Sequence, residues 1–164
     1  MKKLLCTVFL LLVLAFPVQT SAESIAFPAS ENDIIGLFEE TMKPEYDYLK
    51  IWYYQPLNCI CMDVAIDGTA EIISALLEQG YDETYKPWFD YKNGQITLYN
   101  AILDVFRQVG REDLNLSFSI VNDDIYIRND DSKLSATTFL TIRNGEIWFD
   151  LLYERSMLRA IFGE

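Results

Sequence analysis

Residues 114–120 read LNLSFSI, a strict alternation of apolar and polar side chains. Because successive side chains of a strand point to opposite faces, this period predicts a strand with one buried face. Residues 125–127, 137–143 and 147–152 follow as three further predicted strands. Asn144-Gly145, between the last two, is a two-residue hairpin signal. The segment therefore predicts a four-stranded antiparallel meander.

Apolar residues spaced three or four apart predict helices upstream of the meander. Three segments show this pattern: 31–43, 69–80 and 97–110. Alternation predicts a strand at 59–66. Residues 46–54 contain five aromatic side chains in nine, which fits either a strand or another helix.

Helices followed by a β-meander define an α+β class, with the helices packed on one face of the four-stranded antiparallel sheet. The element order resembles that of the cystatin-like and nuclear-transport-factor-like folds, in which a curved sheet wraps a helix. This resemblance rests on element order alone. It therefore implies an arrangement of elements and assigns no role to any residue.

An aromatic segment separates two of the predicted helices. Residues 81–94 read YDETYKPWFDYKNG and are predicted to be a surface loop ending in an Asn-Gly turn. Tyr85, Trp88, Asp90 and Tyr91 are the candidate ligand-binding residues, because rings stack on sugars while carboxylates accept hydrogen bonds from hydroxyls. The alternative is that these rings cover the core.

The first 22 residues predict a cleavable secretory signal peptide. Two lysines precede an apolar run at 4–16, which is shorter than the roughly 18 residues of a membrane span. Thr20-Ser21-Ala22 places small residues where signal peptidase needs them, so cleavage is predicted after Ala22. The sequence thus predicts a secreted or periplasmic protein. Its residues 23–164 would form a single acidic domain, with no membrane insertion after cleavage.

The charge restricts the class of partner. Two of the 13 Lys+Arg lie in the leader, so residues 23–164 carry 11 of them against 25 Asp+Glu, a net charge of −14. Nucleic acids and anionic membrane surfaces repel such a chain, whereas basic proteins attract it. We therefore expect no nucleic-acid partner, and a basic protein or a glycan as the ligand.

The chain contains no histidine. Its absence excludes Ser-His-Asp and Cys-His machinery and most zinc or copper sites. We therefore expect no cofactor and no metal, and assign no catalytic residue. Cys59 and Cys61 are the cysteines beyond the leader; alternate residues of a strand lie on one side, too far apart for a relaxed disulfide. They are either a strained disulfide or buried thiols, with redox or metal function as a third alternative.

These observations favour an exported, non-catalytic binding or interaction module for a protein or glycan ligand. One version is an inhibitor of a basic secreted enzyme, since complementary charge speeds encounter. The alternative is a carboxylate-dependent hydrolase acting on glycans, because paired acids work without histidine. A catalytic pair cannot be chosen among 25 acids by sequence.

Overall fold

Four α-helices and five strands make up the part of the chain that the computed structural model describes, residues 28–128 and 136–162. The predicted leader at 1–22 lies outside these residues. Short 3₁₀ turns flank the first strand. In chain order the elements are α1 Glu31–Met42, β1 Tyr48–Tyr54, β2 Cys59–Ala65, α2 Thr69–Glu78, α3 Lys86–Gln108, β3 Asn115–Val121, β4 Thr138–Arg143, β5 Glu146–Asp150 and α4 Leu151–Phe162.

The strands form one sheet in which spatial order follows chain order, from β1 to β5. Neighbouring strands are antiparallel except β2 and β3, which are parallel. The connection between these two strands contains α2 and α3, as a parallel pair requires a long crossover. The α+β class is confirmed, but the predicted four-stranded antiparallel meander is corrected to a five-stranded mixed sheet.

Two of the predicted strands differ in the structure: one is a turn and the other is shorter. Residues 124–128 form a π-helical turn, in which the amide of Tyr126 donates to the carbonyl of Asn122. The predicted strand at 147–152 stops at Asp150, because α4 begins with the next residue. The likeness to cystatin-like and nuclear-transport-factor-like folds was drawn from element order alone, and the structure adds a parallel pair, β2 and β3, that the predicted meander did not contain.

The first helix and first two strands agree with the sequence patterns. Ser30 and Asp33 form the reciprocal capping box of α1, with side chain and backbone each bonded to the other. The strand predicted at 59–66 is β2. The ambiguous aromatic segment is β1, whose Trp52 lies directly opposite Cys61 of β2.

The predicted aromatic loop is wrong, because α3 runs without a break through most of it. Pro87 lies in the first turn, where its missing amide hydrogen leaves no helical hydrogen bond unmade. Gly94 is an interior residue of the helix. Trp88, Tyr99 and Phe106 are buried on one face of α3, and this apolar face is what makes the long helix stable.

One hydrophobic core contains residues from all four helices and from one face of the sheet. Phe118 of β3 and Met62 of β2 lie at its centre, with no exposed surface. The other face carries mainly polar side chains and is called the polar face below. Its residues are Lys50, Trp52, Cys59, Cys61, Asp63, Ser117, Ser119, Thr141 and Arg143.

Candidate functional site

A cleft of about 270 Å³ opens beside β5, between this strand, the start of α4 and the segment before α3. We call it the β5 cleft. Aromatic, aliphatic and charged side chains line it together: Glu83, Lys92, Ile147, Trp148, Phe149, Asp150, Tyr153 and Glu154.

The floor of the β5 cleft is a buried ion pair. Lys92 of α3 donates to Asp150 at 2.5 Å, and both residues are over nine-tenths buried. The other oxygen of Asp150 accepts from the Trp88 indole at 3.0 Å and from the amide of Leu152 at 3.0 Å. The carboxylate thus joins α3 to the first turn of α4, and its charge is balanced inside the protein.

The walls of the cleft combine exposed rings with carboxylates. Trp148 is 64% exposed and Tyr153 is 45% exposed. Glu83 is fixed by the hydroxyl of Ser156, which donates to it at 2.9 Å, while Glu154 is exposed. Rings beside carboxylates suit a cationic group, which interacts with the ring faces and pairs with the acids.

The apolar surface continues from the cleft along α4. Tyr153, Met157 and Ile161 are exposed at four-residue spacing, so they lie on one face of this helix, and Leu158 is exposed beside them. Trp148 and the half-exposed Ile147 lie on β5, an edge strand of the sheet. Together these side chains extend the β5 cleft into a larger apolar surface.

A second feature is the thiol pair on the polar face. The sulfurs of Cys59 and Cys61 lie 4.0 Å apart, and neither is in a disulfide. The Cys61 hydrogen bond lowers the pKa of the Cys59 thiol to about 7, with help from the positive charge of Arg143. The same interaction and burial raise the pKa of Cys61. Cys59 is therefore the thiol that ionises first, with the S–H of Cys61 as its hydrogen-bond donor.

Charged and aromatic side chains surround the thiols. Arg143 donates to the Ser117 hydroxyl at 2.9 Å, and its guanidinium lies 5.3 Å from the centre of the Trp148 ring. On the other side of the thiols, the Lys50 ammonium lies 5.1 Å from the Trp52 ring. The polar face thus places a cation on each side of the two sulfurs.

The polar face also contains a partly buried carboxylate, that of Asp63. Burial raises the pKa of Asp63, against the opposing effects of the Lys50 charge and a hydrogen bond from Ser119. Ser119 and Thr141 share a hydrogen bond of 3.1 Å. These contacts hold the polar side chains of three adjacent strands in place.

The four predicted ligand-binding residues occupy the start of α3 and the residue before it. Trp88 is only 5% exposed and bonds Asp150, so its ring is not an exposed binding ring and follows the alternative that these rings cover the core. Tyr91 stacks on Trp88, and Asp90 pairs with Lys86 one turn away. Tyr85 is half-buried and stacks on Tyr81 with ring centres 4.0 Å apart. The structure therefore places these residues at the side of the core.

The sequence did not reveal the β5 cleft. Lys92 and Asp150 are far apart in the chain, and Lys92 belongs to a segment predicted to be loop. The available signal was the spacing of Trp88, Lys92, Tyr99 and Phe106, which follows one helical face through Asn93-Gly94.

No protein family, curated protein or solved structure matches the chain. Within residues 28–128 and 136–162, no three or more Cys, Asp or Glu side chains are grouped closely enough to hold a metal ion. The same described ranges contain no helix with the length and hydrophobicity of a membrane span.

Proposed function

We propose that the chain is an exported, non-catalytic interaction module that binds a protein partner through basic side chains placed in the β5 cleft. The observation that carries this proposal is the pairing of exposed rings, Trp148 and Tyr153, with Glu83 and Glu154 around one opening. The ion pair below them is internally balanced, so the wall carboxylates set the charge at the opening.

The chemistry of the walls selects a lysine or arginine side chain. Its apolar stem packs against the rings, and its charged end meets the carboxylates and the ring faces. Trp148 already holds Arg143 of its own chain at one place on the ring, which shows that the indole accepts a guanidinium.

The size of the apolar surface favours a protein over a small molecule. The cleft continues into Met157 and Ile161 of α4, beyond the reach of a single amine. Tryptophan, tyrosine and methionine are enriched at protein interfaces, and a few aromatic residues carry most of the binding energy. The net charge of −14 on residues 23–164 adds long-range attraction for a basic partner.

Export remains part of the proposal and rests on the predicted signal peptide. The test is the intact mass of the protein recovered from the periplasm or medium after expression of the full chain. A mass that begins at Glu23 supports export, whereas an uncleaved chain retained in the cytoplasm contradicts it.

The binding proposal is tested with residues 23–164 as bait in extracts of the source cell envelope and medium. Three baits are compared: wild type, Trp148→Ala, and Phe89→Ala as a control that removes an exposed ring outside the cleft lining. We expect a basic protein that wild type and Phe89→Ala retain and that moderate salt releases. Trp148→Ala should weaken its binding by about 2 kcal/mol, the scale of an interface hot spot.

Other results of this experiment would contradict the proposal. Equal capture of the partner by the Trp148→Ala bait would mean that the β5 cleft is not the binding surface. Capture of a neutral partner that resists salt would remove the electrostatic part. Retention of glycan in place of protein would favour the sugar ligand that the sequence also allowed.

One observation favours the alternative of a glycan-acting hydrolase, because carboxylates beside aromatic rings also describe a glycosidase cleft. Asp150 is committed to Lys92, Trp88 and α4, which leaves Glu83 and Glu154 as the acids that face the opening. Release of reducing sugar from envelope glycan, lost in both Glu83→Gln and Glu154→Gln, would establish this alternative.

A further inference from the structure

The central strand β2 holds the sulfurs of Cys59 and Cys61 4.0 Å apart on the polar face. Cys59 lies opposite Tyr54 and Asn115, and Cys61 lies opposite Trp52 and Ser117, so both neighbouring strands pair continuously through this stretch. The backbone that carries the two thiols is therefore fixed from both sides.

This backbone opposes a disulfide. In a strand the attachment points of alternate side chains lie about 6.6 Å apart, since the rise is about 3.3 Å per residue. A disulfide needs the two Cβ atoms about 4 Å apart. Closing one between Cys59 and Cys61 would buckle β2 and break its pairing with β1 and β3.

A bridging ion needs no such movement. With metal–sulfur bonds of about 2.3 Å, the length in zinc thiolates, one ion reaches both sulfurs at their present separation of 4.0 Å. We propose that Cys59 and Cys61 bind one monovalent thiophilic cation, with copper(I) as the physiological class, between their two sulfurs.

The charges around the thiols select a monovalent ion. One cation displaces the protons that the two sulfurs still carry, a single proton where the pair is already singly ionised, and this leaves a bis-thiolate complex with a net charge of −1. Arg143 acts electrostatically on both sulfurs and is held by Ser117, so it balances that charge. Thiolate ligands select copper(I), whereas structural zinc sites use four ligands.

The nearby oxygen ligands do not complete a site for zinc. Asp63, two residues beyond Cys61 on the same face, is bonded to Ser119 and opposite Lys50. Cys59 is buried and Cys61 half-buried, so Cys61 is the more accessible of the two thiols. Trp52, directly opposite Cys61, reports on occupancy through its fluorescence.

The test uses the full chain with Cys6→Ser, so that Cys59 and Cys61 are the remaining thiols. It is titrated without oxygen with copper(I) in competition with a coloured copper(I) chelator, while tryptophan fluorescence is recorded. We expect one ion per chain, quenched fluorescence, and no retention of zinc(II). Silver(I), a monovalent ion without redox chemistry under these conditions, should give the same stoichiometry.

Three variants define the ligands. Cys59→Ser and Cys61→Ser should each abolish the one-to-one retention without unfolding the chain, because serine is nearly isosteric. Arg143→Gln should keep the stoichiometry but weaken affinity by about 10–100-fold, the usual effect of a residue that supports metal ligands.

Several results would overturn the proposal. These are copper(I) retention that survives both serine variants, preference for zinc(II), or one ion shared by two chains. Isolation of the chain in air with both thiols lost and two hydrogens missing from its mass would show a disulfide instead. None of these outcomes bears on the β5 cleft, whose test is the capture experiment with Trp148→Ala.

Discussion

Lys92 and Asp150 form an ion pair that is buried beneath the β5 cleft. Removing the lysine leaves a buried carboxylate with fewer donors, and breaking such a pair costs about 3–5 kcal/mol. We therefore expect Lys92→Met to lower the free energy of unfolding by about 3 kcal/mol or more, measured by urea denaturation.

The same helix provides the control. Lys86 and Asp90 form an ion pair whose side chains are 81% and 56% exposed. Lys86→Met should change stability by less than about 0.5 kcal/mol, because water screens the pair. Equal effects of the two substitutions would contradict the assignment of a buried, structural pair to Lys92 and Asp150.

Arg111 joins the start of α1 to the residues before β3. Its guanidinium donates to the Ala29 carbonyl, to Glu31 and to Asp113. The Arg111 hydrogen bonds, followed by one from Asn58, lower the pKa of Asp113 from 3.8 to about 2.

A lowered pKa stabilises the fold only while the carboxylate is ionised. The contribution of Asp113 is therefore complete above about pH 5, falls as the pH passes through 3.8, and is mostly lost at about pH 2. Asp113→Asn should lower stability at pH 7 by no more than about 1 kcal/mol, because the group is largely exposed, and this effect should shrink to a small fraction at pH 2. Denaturation across this range, with Glu112→Gln as the control, measures the difference.

The sequence predicted the right chemistry for some residues and the wrong place for others. It offered Trp88 either as a ligand-binding ring or as a ring that covers the core, and the structure favours the second, because the indole is buried and donates to Asp150. Asp150 lies far from Trp88 in the sequence, at the end of β5, so local spacing could not show that the two residues are partners. The thiols at Cys59 and Cys61 were found correctly on one side of a strand, because a period of two fixes that relation.

At the level of elements, α2 is capped by a residue from outside the helix. The buried carboxylate of Asp123 accepts from the amides of Gly68 and Ala70, each at 2.7 Å. The hydroxyl of Thr69, the first residue of α2, donates to the Ile66 carbonyl and does not cap the helix. Asp123 thus satisfies the first turn of α2 and attaches it to the end of β3.

Loss of this cap should destabilise the protein more than loss of an exposed one. Removing a cap costs about 1 kcal/mol, and burial of the unpaired amides adds about 1–3 kcal/mol. We expect Asp123→Ala to cost more than Ser30→Ala, which removes the exposed capping box of α1. Thermal unfolding of both variants tests this, and a smaller effect of Asp123→Ala would contradict it.

Gly36 inside α1 and Gly68 at the start of α2 should respond in opposite ways to replacement by alanine. Gly36 is inside α1, and an added Cβ there meets nothing within 4 Å. Gly36→Ala should therefore stabilise the protein by about 0.5–1 kcal/mol. Gly68 also has open space but has φ +85°, so Gly68→Ala should destabilise by about 1–2 kcal/mol. Stabilisation by both substitutions in chemical denaturation would contradict the backbone argument.

Propensity explains which elements the sequence predicted. α1 was predicted because its capping box and apolar spacing agree, and β3 because its alternation is unbroken. The start of α3 was missed because Asn93-Gly94 has the chemistry of a turn, and the buried face from Trp88 to Phe106 overrides it. Residues 124–128 alternate like a strand but form a turn, in which Tyr126 packs against Tyr48 of β1.

At the scale of the whole molecule, the net charge of −12 opposes the compact state. Salt screens this repulsion over about 10 Å at 0.1 M. We expect the melting temperature to rise between about 20 mM and 0.5 M sodium chloride, measured by circular dichroism. The surface ion pairs of Arg128 with Asp67 and Glu71 act in the opposite direction, so a falling melting temperature would show that such pairs dominate.

The sheet topology was the part of the fold that the sequence could not supply. Alternation showed that 59–66 and 114–120 are strands, but a period of two carries no information about partners. The Asn144-Gly145 turn did identify its hairpin, since both strands of that pair are local. The pairing of β2 with β3 joins segments separated by two helices, and sequence rules that read neighbours do not reach it.

That single parallel pairing sets the order in which the chain can fold. β1 with β2, and β4 with β5, are hairpins that close over few residues and form early. β2 can pair with β3 only after the ends of the segment 66–114 come together. We expect this step to be slow, because the segment loses conformational entropy before the contacts between the two strands form. At one end of this junction Asn58 donates to the carbonyl of Asp113, and at the other end Asp123 accepts from the amide of Gly68. We therefore expect the transition state for folding to lie where the two halves of the sheet meet.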